Sequence, residues 1–447
     1  MKIADRPCSL NEQVTDLKKS FLTFSFVAIL TCLAKLAIVG KELVVAARFG
    51  RNDQVDAFLI AALVPAFVGT LLGNAMNTAF IPVYIQCAQR EGKQTASDLL
   101  AGMSFLNICT IGILALLIGL SAPYFLPWIA SGFDGPKTRL TFQLLVILVP
   151  YVLLSGISAM WSAVLNAHER FGIVLLTPVI SPFVMVSGLY IFPSCGIRVL
   201  ADGMVAGILI EVIVLGIAIR TIGVSWLPWW RGWTDPLQRV IRQFIPAVTG
   251  SLLMGSAILI DQAMASGLTP GSVAALSYGS KFIGFLLAIV TTTLTTILTP
   301  YFSKKAVGED RADLFTFLGR YLRFFPLIFL LPLATTLFSE PIVRLIYYRG
   351  AFSRKDVQLV AGVQSRLAWQ IPFYISSVIL ARIIAALQQN RIIPYIAACN
   401  VMLNIVLNYI LMKRMGVEGI ALSTSIVYMT SFLWLLIYIY QVQKKAL

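Results

Sequence analysis

Apolar segments of 18 or more residues recur along almost the whole chain, and they restrict its fold more than any other feature. About 20 apolar residues in a helix span the hydrocarbon core of a bilayer. Of the 447 residues, 58% are hydrophobic and only 12% are charged. A soluble domain has about a quarter of its residues charged, so a soluble fold would lack the polar surface to cover this core. The sequence therefore predicts an all-α polytopic membrane protein.

About twelve membrane-spanning helices are predicted, and the positive charges orient them. More of the 35 lysines and arginines lie in the loops on the side of the N-terminus, so we expect both termini in the cytoplasm. The first twenty residues are polar and the next apolar run is too long for a signal peptide, so no cleaved leader is expected. The helices are expected at 21–48, 54–86, 97–128, 138–167, 171–193, 198–221, 237–265, 271–301, 312–338, 355–388, 391–412 and 417–441.

An internal repeat divides these helices into two sets of six. Pro82 and Pro300 both close a long helix, and "PYVLLSGISAMWSAVL" resembles "PFYISSVILARIIAAL" at the corresponding place in the second half. Each half starts on the same side of the membrane, so the repeats are parallel and their axis follows the membrane normal. Repeated halves of this kind are typical of a transporter that rocks one lobe against the other around a site at the midplane of the membrane.

The repeat also predicts the organisation of the chain. The tryptophan-rich stretch "SWLPWWRGW" is expected to lie at the membrane surface between the two halves. The predicted parts are a cytoplasmic N-terminal segment (1–20), an N-lobe (21–225), an interfacial connector (226–236), a C-lobe (237–441) and a cytoplasmic tail (442–447).

Charged residues inside the predicted spans are the candidates for a site. A charge at the bilayer centre costs about 2.5–3.5 kcal/mol on insertion scales, so such residues usually face a cavity or a partner. The segment "VGKELVV" places Lys41 and Glu42 in the first helix, with Lys35 on the same face as Glu42. We expect each of them to meet a charge on another helix.

Five more charges complete the candidate set. Lys281 lies ten residues into helix eight, roughly 15 Å from its end, where snorkelling to water is difficult. Lys35, Lys41, Glu42, Asp56, Lys281 and Arg382 are predicted to line a substrate cavity. Asp261 can pair with Lys281 or bind a cation, and Asp261 and Glu211 are the candidates for ion coupling, although a structural hydrogen bond is the simpler interpretation of Glu211.

Several classes of function are excluded or disfavoured. The chain has no GxxxxGK[ST] pattern, so it has no sign of its own ATP hydrolysis. His168 is the only histidine, and the six cysteines form no CxxC pair, so neither a metal centre nor a cofactor is expected. The net charge of +15 is explained by the membrane loops, and nucleic acid is not expected as a partner. We expect a transporter and not an enzyme.

Several sequence motifs within residues 21–440 resemble those of the MurJ/MviN family, which belongs to the superfamily of polysaccharide flippases and MATE transporters. The resemblance rests on "GKELVVAARFGRNDQVDAF", "AFIPVY", "SYGSKFIGF", "ILTPYFSK", "YYRGAFSRKD" and "PFYISSVILARIIAALQ". It implies a flippase that moves undecaprenyl-diphosphate-linked saccharide, such as a lipid II-like peptidoglycan precursor, across the bacterial inner membrane by alternating access. Lys41, Asp56 and Lys281 fall on family cavity positions.

Two departures from the family leave alternatives open. Helix two reads "VPAFVGTLLGN", with Gly69 and Thr70 near the place where the family has paired arginines. Family members that flip lipid II commonly have two further C-terminal helices, whereas this chain ends after helix twelve. The alternatives are a flippase for exopolysaccharide or O-antigen units, a cation-coupled multidrug exporter with an acidic, aromatic cavity, and a non-transporting scaffold. The expected partners are the lipid-linked glycan and membrane lipids, and glycan-assembly enzymes are further candidates.

Overall fold

A computed structural model describes residues 10–222, 228–230, 232–307, 311–389 and 391–446. Long helices with short turns make up this part of the chain, which confirms the predicted all-α fold with about twelve spans. Eleven helices among the described residues, all of those given below except α1, are long and apolar enough to cross a membrane. The twelve helices are α1 (Leu10–Phe49), α2 (Asp53–Glu91), α3 (Lys93–Ile129), α4 (Gly135–Ala167), α5 (Phe171–Ile191), α6 (Arg198–Thr221), α7 (Asp235–Ser266), α8 (Ser272–Val307), α9 (Arg311–Ile328, continued by Leu330–Leu337), α10 (Arg354–Ala386), α11 (Ile392–Met415) and α12 (Val417–Ala446).

Side-chain caps determine where several of these helices begin. The Asn52 side chain accepts a hydrogen bond from the Val55 backbone N–H and starts α2, and Asp134 does the same for α4 at Lys137. Ser353 and Asp356 form a capping box at the start of α10. These helix ends lie on the side of the membrane opposite the N-terminus of α1, which we call the outer face, and local hydrogen bonds hold them in place.

The charged connection between α9 and α10 contains a short extra helix on the outer face, Ser339–Tyr347. It buries Val343 and Tyr347 and exposes Arg344 and Leu345. A helix with one apolar and one basic side suits the boundary between lipid and water. This amphipathic pattern explains how the segment carries positive charge on the side where it is otherwise less frequent.

Helix α2 departs from regular α-helical geometry in its inner half. Two π-helical turns, Met76–Phe80 and Cys87–Glu91, interrupt it on either side of Pro82. The sequence pattern predicted one continuous helix, because hydropathy does not distinguish π from α turns. Pro82 lacks the backbone N–H that a regular helix would use, and local π geometry is one way to accommodate this loss.

Both lobes use the same packing plan, as expected for a parallel repeat. In the N-lobe, α4 packs between α2 and α6, while α3, α5 and α1 lie around them. In the C-lobe, α10 packs between α8 and α12, while α9 and α11 lie outside. The second, fourth and sixth helices of each half therefore form its centre.

The two lobes meet at their outer ends. The backbone N–H of Ala351 donates to the carbonyl of Ala47 at 2.7 Å, and the Ser266 hydroxyl donates to the carbonyl of Ile129 at 2.7 Å. Gly132 lies so close that a Cβ there would be 2.5 Å from the carbonyl oxygen of Ser266. Only glycine, which has no Cβ, allows two backbones to approach this closely. These contacts between the lobes close the outer side of the molecule in this conformation.

Helix α7 belongs to both lobes. Near its inner end, Leu237 and Val240 are buried in the apolar cluster of the N-lobe, and Arg239 pairs with Glu91 at 2.5 Å. At its outer end, Asp261 is buried against α11 and α12. The apolar centre of the helix buries none of its residues. The helix thus crosses from one lobe to the other through the middle of the membrane.

The tryptophan-rich connector that leads into α7 lies partly outside the described residues, at positions 223–227 and 231. Within the described part, Trp229 and Trp233 are exposed, while Trp230 packs on Phe105 and on Trp233. Exposed indole rings suit the membrane–water boundary. The surface of this segment therefore fits its predicted interfacial position, which stays a prediction.

The single histidine lies at the inner end of α4, beside a buried tyrosine. His168 follows the last residue of the helix, and its Nε2 atom is 3.1 Å from the hydroxyl of buried Tyr84. Partial burial, together with the nearby Arg170, holds the pKa of His168 below its ordinary value of 6.5. Protons therefore bind more tightly to the unfolded chain.

From that sign, the stability contributed by neutral His168 is present above pH of about 6.5 and is lost as pH falls through the lower folded pKa. We expect the melting temperature to fall between about pH 7.5 and about pH 5.5, and His168→Gln to flatten this slope. Thermal unfolding of the purified chain in detergent at the two pH values measures it. An equally steep slope in the variant would show that another group is responsible.

Candidate substrate cavity

A cluster of three charges joins the two lobes in the outer half of the membrane. The Glu42 carboxylate on α1 lies 2.9 Å from the Lys41 ammonium and 3.2 Å from the ammonium of Lys281 on α8. Glu42 is almost completely buried, at 6% side-chain exposure, whereas Lys281 retains 33%. The partner that the sequence left unnamed for Glu42 is therefore Lys281 of the opposite lobe.

The cluster carries one more positive than negative charge. Because Glu42 can neutralise only one of the two ammonium groups, an excess positive charge remains on the partly exposed lysines. In a low-dielectric layer such a charge attracts an anion far more strongly than it does in bulk water. A lysine acts there as a compact point charge with three donors. The cluster is thus suited to hold an anionic group within the membrane.

Two other predicted cavity residues lie away from this cluster. Lys35 is exposed on α1, seven residues closer to the inner side than Glu42, which is about 10 Å along the helix axis. Arg382 is half-buried four residues before the inner end of α10. Lys281, in contrast, lies nine residues from the outer end of α8, in the outer half of the helix. The structure therefore places Lys35 and Arg382 at other depths, and their predicted contact with substrate stays a prediction.

Asp56 is the predicted cavity residue whose surroundings differ most from the expectation. Its side chain is 2% exposed, and it accepts hydrogen bonds from the backbone N–H groups of Gly271 at 2.7 Å and Ala274 at 2.8 Å. These groups belong to the first turn of α8, where a carboxylate is favoured by the helix dipole. Asp56 caps a helix of the other lobe and has almost no surface left for a ligand in this conformation.

Two basic residues form ion pairs at and near Asp56. The ammonium of Lys137 lies 3.0 Å from Asp56 and 2.6 Å from Asp53. Arg51 pairs with Asp356 at 2.9 Å and donates to the carbonyl of Pro270 at 2.7 Å. The bonds of Arg51 and those of Asp56 to α8 cross from the N-lobe to the C-lobe at the outer side, whereas Lys137 holds Asp56 within the N-lobe. We call Arg51, Asp56, Lys137 and Asp356 the outer latch.

Asp261 is surrounded by neutral polar groups. Its carboxylate accepts hydrogen bonds from the side chains of Asn404 at 3.0 Å, Asn408 at 2.7 Å and Thr424 at 3.1 Å. The considered pairing with Lys281 is wrong, because Lys281 pairs with Glu42 instead. The sequence analysis missed Asn404, Asn408 and Thr424, although the four-residue spacing in "LNIVLNY" places both asparagines on one face of a helix.

The side chains around Asp261 carry the kinds of oxygen that bind small cations, and in this structure both asparagines turn their amide N–H groups to the carboxylate. The side chains of Asp261, Asn404, Asn408 and Thr424 supply oxygen atoms on three helices, and the Asn408 side-chain oxygen is buried with no hydrogen-bond partner within the described residues. Hard cations prefer carboxylate, amide and hydroxyl oxygens of this kind. Within the same residues no cluster of three or more acids, histidines or cysteines is present.

Glu211 lies apart from both clusters, inside the N-lobe. It is buried between α6 and α4, where the hydroxyl of Ser158 donates to its carboxyl at 2.5 Å. This is the structural hydrogen bond that the sequence analysis considered the simpler interpretation. Arg366, another charge within the predicted spans, lies 3.7 Å from Glu418 on α12 with both side chains partly exposed.

Comparison with known proteins identifies similar chains with similar architecture. A family model described as lipid II flippase MurJ matches residues 45–446. A probable lipid II flippase MurJ from Synechocystis sp. is 26% identical over 429 residues, which covers 92% of this chain and 80% of that protein. The lipid II flippase MurJ of Burkholderia cenocepacia is 24% identical over 413 residues, covering 89% and 79%.

Solved structures give the same result for the fold. A lipid II flippase MurJ in an inward closed conformation superposes with a TM-score of 0.79 at 23% identity, covering 93% of this chain and 87% of that chain. An inward-facing multidrug transporter of the MATE family superposes with a TM-score of 0.71 at 13% identity, covering 94% and 100%. At these identities the likeness concerns the fold alone.

Proposed function

The chain belongs to the lipid II flippase MurJ family, and on that premise we propose that it moves lipid II across the membrane by alternating access. It is a multi-pass membrane transporter and not an enzyme. The substrate combines an undecaprenyl diphosphate with a saccharide, so a charged head group must cross a low-dielectric layer. The observation that carries the proposal is the Lys41–Glu42–Lys281 cluster, which offers excess positive charge between two lobes that are closed toward the outside.

The diphosphate is proposed to bind at this cluster. Its negative charge compensates the ammonium groups of Lys41 and Lys281, and Glu42 keeps both lysines in place when no substrate is bound. Lys35, on the inner part of the same helix, is proposed as an earlier contact on the way in, and Arg382 as a contact near the inner opening. Asp56 contributes indirectly, because it holds the outer latch closed.

Ion coupling is proposed at Asp261. A cation bound by Asp261, Asn404, Asn408 and Thr424 would tie α7 to α11 and α12, and α7 is the helix that also contacts the N-lobe. Binding at this place therefore influences how the lobes sit relative to each other. Glu211 is the second predicted coupling residue, and its single hydrogen bond to Ser158 favours a structural role.

The alternatives receive less support. A multidrug exporter would need a mainly acidic cavity, whereas two lysines surround a single glutamate here. The family match and the curated relatives support lipid II over exopolysaccharide or O-antigen units. We propose the inner membrane as location, both termini in the cytoplasm, the division into an N-lobe and a C-lobe around the connector at 226–236, and membrane lipids and glycan-assembly enzymes as partners.

Complementation tests the function directly. Expression of this chain in cells depleted of their lipid II flippase is expected to restore growth and cell shape. A vector that carries Lys281→Ala serves as the negative control. If the wild-type chain is present in the membrane at normal level and the cells still lyse, lipid II is not its substrate.

The coupling proposal has its own test. Asp261→Ala is expected to abolish the dependence of flipping on the coupling cation while the protein remains folded, because the only carboxylate of the group is gone. Flipping of labelled lipid II in proteoliposomes with different alkali cations measures this dependence, with Glu211→Gln as the matched carboxyl variant. If flipping by Asp261→Ala kept the cation dependence of the wild type, coupling would have to occur elsewhere.

A further inference from the structure

An apolar pocket lies on the N-lobe, where the outer ends of α3 and α4 meet. Its volume is about 420 Å³, which is within the range of pockets that hold small ligands. Its walls include Pro123, Leu126, Pro127, Phe133, Arg139 and Phe142. We call it the α3–α4 pocket.

Two prolines shape the wall that α3 contributes. Pro123 and Pro127 are four residues apart, so they lie on the same face of the helix. A proline ring is short and rigid, and together the two rings leave a depression between the bulkier side chains of Leu126 and Phe142. Both prolines are exposed. The pocket therefore opens at the surface of the lobe.

Aromatic residues place this opening at the outer boundary of the bilayer. Tyr124 and Trp128 flank the two prolines and are 79% and 85% exposed, and such rings concentrate at the level of the lipid head groups. On α4 the apolar run begins at Leu140, directly after Arg139. The pocket thus extends from the head groups at Arg139 into the hydrocarbon at Phe142, where lipid is the molecule that meets it.

Arg139 carries the only charge among the described residues that line the pocket. Its side chain is exposed and forms no ion pair or hydrogen bond with any described residue. The nearby acid Asp134 is already used as the cap of α4. A guanidinium pairs with phosphate oxygens through two parallel N–H groups. An unpaired guanidinium beside an apolar depression matches a phospholipid, which joins a phosphate to hydrocarbon chains.

One wall of the pocket is shared with the outer latch. The Phe133 ring lines the pocket, and the ammonium of Lys137 lies 4.0 Å from the centre of that ring, within the range of a cation–π contact. The same ammonium lies 3.0 Å from Asp56, which caps α8 of the C-lobe. A hydrocarbon chain packed against Phe133 therefore fixes the ring that supports Lys137 in the latch.

The segment that precedes Phe133 is itself a contact between the lobes. The carbonyl of Ile129 accepts the hydrogen bond of Ser266, and Gly132 lies against the Ser266 backbone. Opening the outer side must break these contacts and release the segment that carries Phe133. A ligand that needs the pocket in its present shape therefore binds the closed state better and stabilises it.

We propose that the α3–α4 pocket binds an anionic phospholipid of the outer leaflet and that the bound lipid holds the outer latch closed. The phosphate pairs with Arg139 and one chain runs inward to Phe142. Opening of the latch then weakens lipid binding by the same factor, because the coupling is reciprocal. The site is separate from the cluster proposed to hold the diphosphate, and it does not depend on which lipid is transported.

Labelling of the full-length chain in vesicles tests the proposal. Ser266→Cys is the reporter, because Ser266 is 3% exposed in the closed state, and a maleimide that cannot cross the membrane is added outside. Labelling of the chain without this cysteine is subtracted. Vesicles of phosphatidylcholine are compared with vesicles of two parts phosphatidylcholine to one part phosphatidylglycerol. Phosphatidylglycerol is expected to slow labelling at least about fivefold, the lower end of the usual coupling between two sites.

Three variants assign this effect to the pocket. In Arg139→Gln the two kinds of vesicle should give equal rates, whereas Arg139→Lys keeps the charge and should retain most of the difference. Arg344→Gln is the matched control, because Arg344 is also basic and exposed on the outer face but lies on the short helix beside Tyr348. It should keep the full difference, which separates the pocket from the general surface charge of the vesicle.

Melting temperatures of the variants in detergent show that they fold. The proposal is overturned if phosphatidylglycerol leaves the labelling rate of the wild type unchanged. It is also overturned if folded Arg139→Gln protein is slowed as much as the wild type, or if Arg344→Gln loses the difference to the same extent.

Discussion

Replacing Lys41 or Lys281 by alanine is expected to abolish flipping of lipid II, with a loss of at least about a hundredfold in rate. Each change removes one of the two positive charges that meet at Glu42. The remaining lysine is then neutralised by Glu42, so the site loses its excess charge for the diphosphate. A charged interaction in a desolvated place is worth several times a surface pair, which explains the size of the effect.

Flipping of labelled lipid II in proteoliposomes measures this loss. Lys413→Ala is the matched control, because Lys413 is exposed on the outer side and its ammonium contacts Tyr409 on its own helix. Melting temperatures of all variants in detergent show that they fold. The assignment of the diphosphate site is wrong if folded Lys281→Ala protein flips lipid II at the rate of the wild type.

The second large effect is expected for Asp56→Ala, which should open the outer latch. The change leaves two N–H groups of the first turn of α8 and the ammonium of Lys137 without their buried acceptor. Removing one partner of a buried ion pair costs about 3–5 kcal/mol. The Lys137 pair lies within the N-lobe, but the two bonds to α8 exist only when the lobes are closed outside, so we expect their loss to shift the protein away from the closed state.

Asp53→Ala is the control for this prediction, because Asp53 pairs with the same lysine but is 57% exposed. An exposed pair contributes only about 0–1 kcal/mol, so this variant should behave like the wild type. Labelling of a cysteine introduced at Ser266, which contacts Ile129 across the latch, reports the opening from outside. Equal labelling rates in the Asp53 and Asp56 variants would argue against a latch at Asp56.

Much of the fold could be predicted because the membrane simplifies the problem. Every backbone polar group inside a bilayer must be satisfied within the chain, so long apolar segments have to form helices. The membrane-spanning helices and the two lobes were predicted from hydropathy, from positive charges and from the repeat of Pro82 and Pro300. The π turns of α2 could not be predicted, because they depend on local backbone geometry that leaves no hydropathy signal.

The site was predicted only in part. Lys41, Glu42 and Lys281 were identified because they are charged residues in apolar segments. A charge inside the membrane costs free energy, so it usually has a functional or structural partner. Asn404 and Asn408 were missed, because neutral amides are common in membrane helices and carry no comparable cost. Asp56 was predicted to line the cavity, but its partners on α8 lie more than 200 residues away in the sequence, and they make it a helix cap.

By itself the sequence determined that the chain is helical, spans a membrane, consists of two related halves and places charge where lipid would exclude it. These properties depend on composition and periodicity along a single segment. Only the tertiary structure decided which charges meet: Glu42 joins Lys281 across the lobes, whereas Asp56 caps a helix of the other lobe and stays away from the cavity. The reason is that pairing depends on how helices from distant parts of the chain pack, and a hydropathy pattern contains no information about that.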